Sequence, residues 1–264
     1  MNLVLGCMNR PYNRFPFERT LEGIAAAGFT AYVHLQRQPG AWIDAMTPME
    51  DVQRLAEAVR VRGLQMVMLP SHLPVHELDV EAALARGRAL VDRAVALGVP
   101  YLLEMGSSRA EAYDRYVAVM RRLAPYAADR GVTLAVKPHG GLTTTGEDCL
   151  RLLERVGHPA YRLCFDPGNL LYYAQEDPLL HLAELAPFTV ATCVKDEVGG
   201  LRGDVNVTPG DGDVDFPAVF RGLYERGFRG PCVVECLALK ETVEEEDGEA
   251  QRAYAFLSRI VSAL

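Results

Sequence analysis

The strongest constraint in this sequence is a regular alternation of short apolar runs with longer amphipathic runs. The apolar runs do not alternate with polar residues, which is typical of strands in a parallel sheet covered on both faces. Eight strands are predicted, at residues 2–7, 30–35, 64–70, 101–106, 133–140, 161–169, 189–196 and 232–237. Eight strand–helix pairs in 264 residues predict an α/β fold, a (β/α)8 TIM barrel that forms a single domain over residues 1–264.

Helix signals between the strands give boundaries for several helices. Thr47 is predicted to cap the second helix, with Pro48 at its first position. Two further helices are predicted at residues 178–187 and 241–264. An open doubly wound sheet is the alternative fold, but the first strand is followed by GCMNRPYN, which lacks the GxGxxG fingerprint of that fold.

Composition and charge exclude several functions. The net charge is −8 and the pI is about 5.3, which disfavours binding to nucleic acid or to an anionic membrane. The N-terminus lacks the pattern of a signal peptide, and no apolar stretch approaches the ~18 residues of a membrane span. The six cysteines contain no CxxC pair, as expected for reduced thiols. A cytoplasmic protein without a nucleic-acid or membrane partner is therefore expected.

Polar residues cluster at the carboxyl ends of the predicted strands, where barrels of this kind carry their chemistry. These residues are His34, His72, Glu104, Lys137, His139, Asp166, Asn169, Lys195 and Glu235. Lys137 follows the apolar run LAV, and Glu235 lies between Val234 and Cys236. A buried lysine and a buried carboxylate that face each other across a barrel offset each other's desolvation.

Some of these residues also have purely structural interpretations. Asp166 precedes Pro-Gly-Asn, a sequence that starts many turns. Lys195 and Asp196 fit a surface ion pair, which contributes ~0–1 kcal/mol. Cys193 fits a core position. Trp42, the only tryptophan, is a candidate for the wall of the pocket or for the interface of a homodimer, and the sequence leaves both open.

Four segments resemble the xylose isomerase-like barrel superfamily, which includes sugar phosphate isomerases and epimerases, inosose dehydratases and keto-sugar 3-epimerases. LCFDPGN is similar to the strand-six motif Asp-x-Gly-(His/Asn), and CVKD to the strand-seven motif His-x-Lys-Asp. TPGDGDVDFPAVFRGLYERGFRGPCVVE is similar to the loop and helix that lead to the strand-eight glutamate. LAVKPHGG is similar to the strand-five motif Leu-x-x-Glu-x-His-Gly-Gly.

The resemblance implies a divalent metal held by Glu, Asp, His and Glu at the ends of strands five to eight. In this sequence those positions are occupied by Lys137, Asp166, Cys193 and Glu235. A charged lysine donates hydrogen bonds and has no lone pair for a metal. We therefore expect no cofactor and no metal site of the usual form. A rearranged Zn or Mn site that uses Asp166, Cys193 and Glu235, with His139, is the alternative.

The resemblance implies an isomerase or epimerase that acts on a small polyhydroxylated carbonyl compound by proton transfer. Its catalytic residues are predicted to be Glu235, Lys137 and Asp166, with the Lys137 charge in the role of the metal. The predicted substrate-binding residues are His139, His72, Asn169, Lys195, His34 and Glu104. Two alternatives remain open: a Schiff-base lyase or aldolase that uses Lys137, and an inactive barrel that binds a sugar-like ligand.

The loop at residues 197–213 is long and rich in glycine, which is typical of a lid over an active site. A plain connector is the alternative. Arg202 lies in this loop and is a candidate for contact with a substrate phosphate or carboxylate.

Overall fold

The computed structural model describes residues 3–38 and 40–264. All strand pairs are parallel, and the strands follow the order β3-β2-β1-β9-β8-β7-β6-β5-β4. The strands are β1 Val4–Met8, β2 Ala31–Val33, β3 Gln65–Met66, β4 Met68–Pro70, β5 Tyr101–Glu104, β6 Thr133–Val136, β7 Tyr161–Phe165, β8 Thr189–Val194 and β9 Pro231–Val234. Because β3 and β4 are two halves of one predicted strand, interrupted only at Val67, the ring closes there and the predicted TIM barrel is confirmed.

The helices cover the outside of this ring. They are α1 Phe17–Ala26, α2 Met49–Arg60, α3 Val80–Leu97, α4 Tyr113–Ala128, α5 Gly146–Val156, α6 Pro167–Ala174, α7 Leu182–Leu185, α8 Phe216–Glu225 and α9 Val243–Ser262. The side chains of Thr145 and Thr242 form capping boxes at the starts of α5 and α9, which satisfy backbone N–H groups that a helix leaves free. The closing helix was predicted at residues 241–264 and is α9.

Two helix predictions were wrong in detail. Thr47 does not cap α2, because its hydroxyl donates to Asp44 and Pro48 holds the cap position. The helix predicted at 178–187 is reduced to the single turn of α7 and a following 3-10 turn. A helix that was not predicted, α6, begins directly after β7. Asp166 caps α6 and Pro167 is its first residue, so the chain passes from strand to helix without a loop.

The core has two layers, one between the strands and the helices and one inside the barrel. The inner layer consists mostly of small or medium-sized residues, including Ala135, Cys164, Cys193 and Val233. Side chains two positions apart in a strand share a face. The next inward positions toward the carboxyl ends are therefore those of Lys137, Asp166, Lys195 and Glu235. The interior of the barrel changes from apolar to charged at this level.

Candidate active site

Lys137 lies at the centre of the charged level. Its Nζ is 3.0 Å from Asp166 Oδ2, 2.5 Å from Glu235 Oε2 and 3.9 Å from Cys193 Sγ. The side chain is 1% exposed, so water contributes little to the solvation of its charge. The two carboxylates supply that solvation instead, as expected for a buried ion pair that is stable only with several partners.

Lys195 forms a second ion pair in the same cluster. Its Nζ lies 2.6 Å from Glu235 Oε1 and 3.9 Å from Asp166 Oδ2, and it donates to Asn169 Oδ1 at 2.9 Å. The interpretation of Lys195 and Asp196 as a surface pair is therefore wrong, since Lys195 is 5% exposed and Asp196 is fully buried. Alternation along β8 turns the two side chains to opposite faces.

Asp196 organises the loop that follows it. Its carboxylate accepts hydrogen bonds from the backbone N–H groups of Gly210, Gly212 and Val214, at 2.9, 3.0 and 3.1 Å. One buried carboxylate thus binds the far end of loop 197–213 to the end of β8. The last part of the loop is held by these bonds, whereas Arg202 near its middle is exposed.

Asn169 connects the cluster to α6. Its Nδ2 donates to Asp166 Oδ2 at 2.8 Å and to the carbonyl of Pro138 at 2.6 Å, while its backbone N–H donates to Asp166 Oδ1 at 3.0 Å. Asp166 is therefore both the cap of α6 and a partner of Lys137. The interpretation of Asp166 as the start of a turn agrees with its hydrogen bond to the backbone of Asn169, but it does not account for its contact with Lys137.

The charges of the cluster balance. Burial opposes the charged form of Lys137, but the neighbouring carboxylates of Glu235 and Asp166 outweigh it, and the pKa of Lys137 lies well above its ordinary value. Burial opposes ionisation of Glu235, but Lys137 and Lys195 outweigh it and hold its pKa well below the ordinary value. The pKa of Lys195 is also raised, because Glu235 outweighs the effect of burial. Two ammonium groups therefore face two carboxylates at neutral pH.

Cys193 contributes a neutral thiol to this arrangement. Its Sγ lies 3.6 Å from Cys164 Sγ, and both cysteines are fully buried. The bond to Cys164 and burial raise the pKa of Cys193 well above its ordinary value. Because the thiol is uncharged at neutral pH, the carboxylates of Asp166 and Glu235 keep Lys137 charged.

The residues that resemble a metal site do not fit a divalent ion while Lys137 is charged. Ligand atoms of Asp166, Cys193 and Glu235 lie within 4.8 Å of one another, which is close enough to surround an ion. Lys137 Nζ, however, is within 3.9 Å of an atom of each of these residues. A positive ammonium in this position repels a cation and uses the lone pairs that a metal would need.

His139 lies close to the charged cluster and to His72, and each of these histidines is beside an aromatic ring. The His139 ring lies 5.6 Å from the Tyr173 ring, and the His72 ring lies 5.2 Å from Trp42. Burial and the charge of Lys137 lower the pKa of His139 to about 3, so its imidazole is neutral. His72 has a φ of 45°, in the left-handed region, and its Nε2 is 2.9 Å from the carbonyl of Leu35. Non-glycine residues in this region often occur at functional sites.

The remaining two predicted residues are not brought into the cluster. Both ring nitrogens of His34 are occupied, by the Tyr32 hydroxyl at 2.8 Å and by the Ala41 carbonyl at 2.9 Å. Glu104 follows the inward-facing Leu103, so alternation turns its side chain toward the helix layer, where Tyr116 and Tyr161 lie. Its Oε1 is buried and has no hydrogen-bond partner among the described residues.

Tyr172 and Tyr173 were not among the residues predicted for the site. Both lie on α6, and Arg202 places its guanidinium 5.3 Å from the centre of the Tyr172 ring and 4.7 Å from that of Tyr173. The signal for α6 was present, because Asp166 followed by a proline is a common start of a helix. The same residues also fit a turn, so no helix was predicted there and the two tyrosines were not assigned to the site.

The fold and the site together define a (β/α)8 barrel with a buried polar cluster at the carboxyl ends of its strands. Residues 21–260 match the family described as xylose isomerase-like TIM barrel, and the chain belongs to that family. The inosose dehydratase of Geobacillus thermodenitrificans is 30% identical over 142 residues, which are 47% of this chain and 47% of that protein. The chain spans about half the length of the named relatives that it matches.

Solved structures show the same fold. An L-ribulose 3-epimerase has a TM-score of 0.76 at 19% identity, with 100% of this chain and 95% of that chain covered. A xylose isomerase-like TIM barrel protein from Mycobacterium smegmatis, in complex with magnesium, has a TM-score of 0.76 at 16% identity, with 99% and 97% covered. Within residues 3–38 and 40–264, the helices are all too short or too polar to cross a membrane.

Proposed function

We propose that this protein catalyses proton transfer at the carbon next to the carbonyl of a small polyhydroxylated compound, as an isomerase or epimerase does. The observation that carries the proposal is the position of Lys137 Nζ, between Asp166 and Glu235 and beside Cys193. By the resemblance of its motifs to the family pattern, the ammonium would take the position of the metal ion. It would supply the positive charge that stabilises a developing enolate.

Lysine suits this role better than arginine. An ammonium is a compact point charge with three donors, whereas a guanidinium is a wide planar fork. The chain contains only three lysines among its 27 basic residues, and two of them, Lys137 and Lys195, are in the cluster. The surface instead uses arginine in most of its ion pairs.

Glu235 is the proposed base. In the structure both of its oxygens are paired, Oε2 with Lys137 and Oε1 with Lys195, and this pairing makes the carboxylate a weak base. A substrate carbonyl that accepts a hydrogen bond from Lys195 would draw this ammonium away from Oε1. The pKa of Glu235 would then rise toward its ordinary value, and the freed oxygen could remove the proton.

The proposed reaction also fits the relatives named inosose dehydratase. A dehydration of this kind begins with removal of a proton from the carbon beside the carbonyl, and the next carbon then loses its hydroxyl group. The charge state of Lys137 argues against the Schiff-base alternative. An imine forms from a neutral amine, and the pKa of Lys137 is raised by the two acids.

A barrel that only binds a sugar-like ligand is the second candidate. It is favoured by the burial of the cluster, in which Lys137, Asp166, Asn169, Lys195 and Glu235 are each at most 5% exposed. Such a closed arrangement must open before a substrate can reach Glu235. Measurement of a product separates the two candidates, since a binding protein forms none.

The experiment follows deuterium exchange by NMR in D₂O with a panel of ketohexoses, ketopentoses and inososes. The wild type is expected to exchange the proton next to the carbonyl of at least one compound. We expect Lys137→Met and Glu235→Gln each to lower the rate by about 100-fold or more, as for loss of a catalytic base or of an electrostatic donor. Lys240→Met is the matched control, because Lys240 is a partly exposed lysine that pairs with Glu249 and contacts no residue of the cluster.

Two outcomes would contradict the proposal. One is that the wild type exchanges no proton of any compound in the panel, which favours the binding protein. The other is that exchange occurs and is as fast in Lys137→Met and Glu235→Gln as in Lys240→Met. Addition of EDTA should leave exchange unchanged, because the positive charge belongs to the chain.

A further inference from the structure

The middle of loop 197–213 holds Arg202 in a fixed backbone conformation. Val198 and Asp204 pair as an isolated antiparallel bridge, which closes a tight turn between them. Arg202 has a φ of 61°, in the left-handed region, and its backbone N–H donates to the Tyr172 carbonyl at 2.8 Å. This conformation carries a steric cost for an arginine, because its Cβ approaches the following carbonyl oxygen. The bond to α6 offsets part of that cost and directs the side chain over the helix.

The Arg202 side chain reaches Tyr173, a residue that is close to both Lys137 and Lys195. Its guanidinium stacks on Tyr173, and the Tyr173 ring also lies 5.6 Å from the His139 ring. His139 is two residues beyond Lys137 and is electrostatically coupled to Lys137 and Lys195. A single aromatic ring therefore separates the guanidinium from the residues that cover the charged cluster.

The donors of Arg202 are not used by carboxylates of the chain. Among residues 3–38 and 40–264, Arg202 forms no ion pair, whereas Arg252, which also contacts this loop, is paired with Asp211. Stacking occupies the flat face of a guanidinium and leaves its N–H groups free along the edge. These donors match the paired oxygens of a carboxylate or a phosphate.

The balance of charges in the cluster indicates which kind of ligand the donors of Arg202 would bind. Lys137 and Lys195 are neutralised by Asp166 and Glu235, so the cluster offers no net charge to an anion. The chain as a whole carries a net charge of −8 and repels anions. A neutral polyol needs no further cation, but an anionic one requires an unpaired positive charge near the cluster, and Arg202 supplies it.

We propose that Arg202 binds the anionic group, a carboxylate or a phosphate, of a small polyol that lies over the Lys137–Lys195 cluster. The inference deepens the proposed function and rests on it for the polyol part of the ligand. Arg202 acts in this account as a residue that determines specificity, and it takes no part in proton transfer.

Binding of defined probes tests the inference. Isothermal titration calorimetry compares D-glucose, D-glucuronate, D-glucose 6-phosphate and inorganic phosphate on the wild type, Arg202→Gln and Arg229→Gln. Arg229 is the matched control, because it also stacks on a tyrosine, Tyr224 at 3.5 Å, but precedes β9 at the opposite end of the barrel. Melting temperatures confirm that each variant is folded.

At least one anionic sugar should bind the wild type about tenfold more tightly than D-glucose, as expected for charged hydrogen bonds. Arg202→Gln should remove this preference, and Arg229→Gln should keep it. A loss confined to D-glucuronate identifies a carboxylate ligand, and a loss confined to D-glucose 6-phosphate and inorganic phosphate identifies a phosphate. No anion preference in the wild type, including no binding at all, or a preference that survives Arg202→Gln, overturns the inference.

The two proposals can fail separately. Deuterium exchange that depends on Lys137 and Glu235, without any anion preference, would leave the function standing and remove the role of Arg202. Anion binding that depends on Arg202, without any exchange, would do the reverse.

Discussion

Replacement of Lys137 by methionine removes the central charge of the cluster while keeping a side chain of similar length. Breaking a buried ion pair costs about 3–5 kcal/mol, because it leaves a buried charge without its partner. The lower end of this range applies here. Lys195 still contacts Glu235 at 2.6 Å, and Asn169 still donates two hydrogen bonds to Asp166. We therefore expect Lys137→Met to lower the free energy of unfolding by about 3 kcal/mol.

Thermal and chemical unfolding measure this loss. With an unfolding entropy of about 2.1 cal/mol/K per residue, a loss of about 3 kcal/mol lowers the melting temperature by about 5 °C for a chain of this length. Lys240→Met is the control. The Lys240 ammonium is partly exposed and lies 3.1 Å from Glu249, which keeps its contacts with Arg252 and Thr208, so the loss of Lys240 should cost less than ~1 kcal/mol.

A double-mutant cycle isolates the pair of Lys137 and Glu235. Glu235→Gln should cost less in the Lys137→Met background than in the wild type, because it removes a carboxylate that has lost one of its two ammonium partners. The coupling energy should be at least ~1 kcal/mol for groups in direct contact. Additive costs, or a Lys137→Met variant as stable as Lys240→Met, would refute the reasoning.

Three further predictions concern the metal, pH and the loop. Lys137→Glu replaces the ammonium with a fourth ligand beside Asp166, Cys193 and Glu235. Metal analysis of the dialysed variant should therefore find about one Zn²⁺ or Mn²⁺ per chain. Equal binding by the wild type would contradict the proposed role of the ammonium. Burial raises the pKa of Glu104 from 4.5 to about 7. The folded state therefore binds this proton more tightly than the unfolded state. As the pH rises from about 4 to 8, the free energy of unfolding of the wild type should fall by roughly 3 kcal/mol relative to that of Glu104→Gln, as measured by urea unfolding. A difference in stability that does not change with pH would contradict this. Asp196→Ala removes the acceptor of several backbone hydrogen bonds that hold the end of loop 197–213. Limited proteolysis should therefore cut this loop faster in the variant than in the wild type. An unchanged rate of cleavage would show that Asp196 does not hold the loop.

The fold could be predicted because its signals are local and repeated. Apolar strands, amphipathic helices and their spacing each point to the same barrel, and alternation along a strand places Lys137, Asp166 and Glu235 on one face. The same rule already separates Lys195 from Asp196, and Leu103 from Glu104. The surface pair of Lys195 and Asp196 conflicts with this rule, and Glu104 was predicted to bind substrate from its place at a strand end without the direction of its side chain.

Other features depend on information that no short segment contains. β3 pairs with β2 and β4 pairs with β5, so the interruption at Val67 coincides with the closure of the ring. The stack of Arg202 on Tyr173 joins a loop after β8 to a helix after β7. Contacts of this kind are set by tertiary structure, and the sequence gives no spacing rule for them.

Direct titration of the lysine side chains is the sharpest test of the central claim that a charged ammonium occupies the position of a metal ion. Protein labelled with ¹³C-lysine should give three Cε signals, from Lys137, Lys195 and Lys240, and single Lys→Arg variants assign them. The account predicts that Lys137 stays protonated beyond the ordinary lysine pKa of ~10.4. A Lys137 signal that titrates below that value, and so reports a neutral amine near pH 7, would contradict it and would favour a lysine that forms imines.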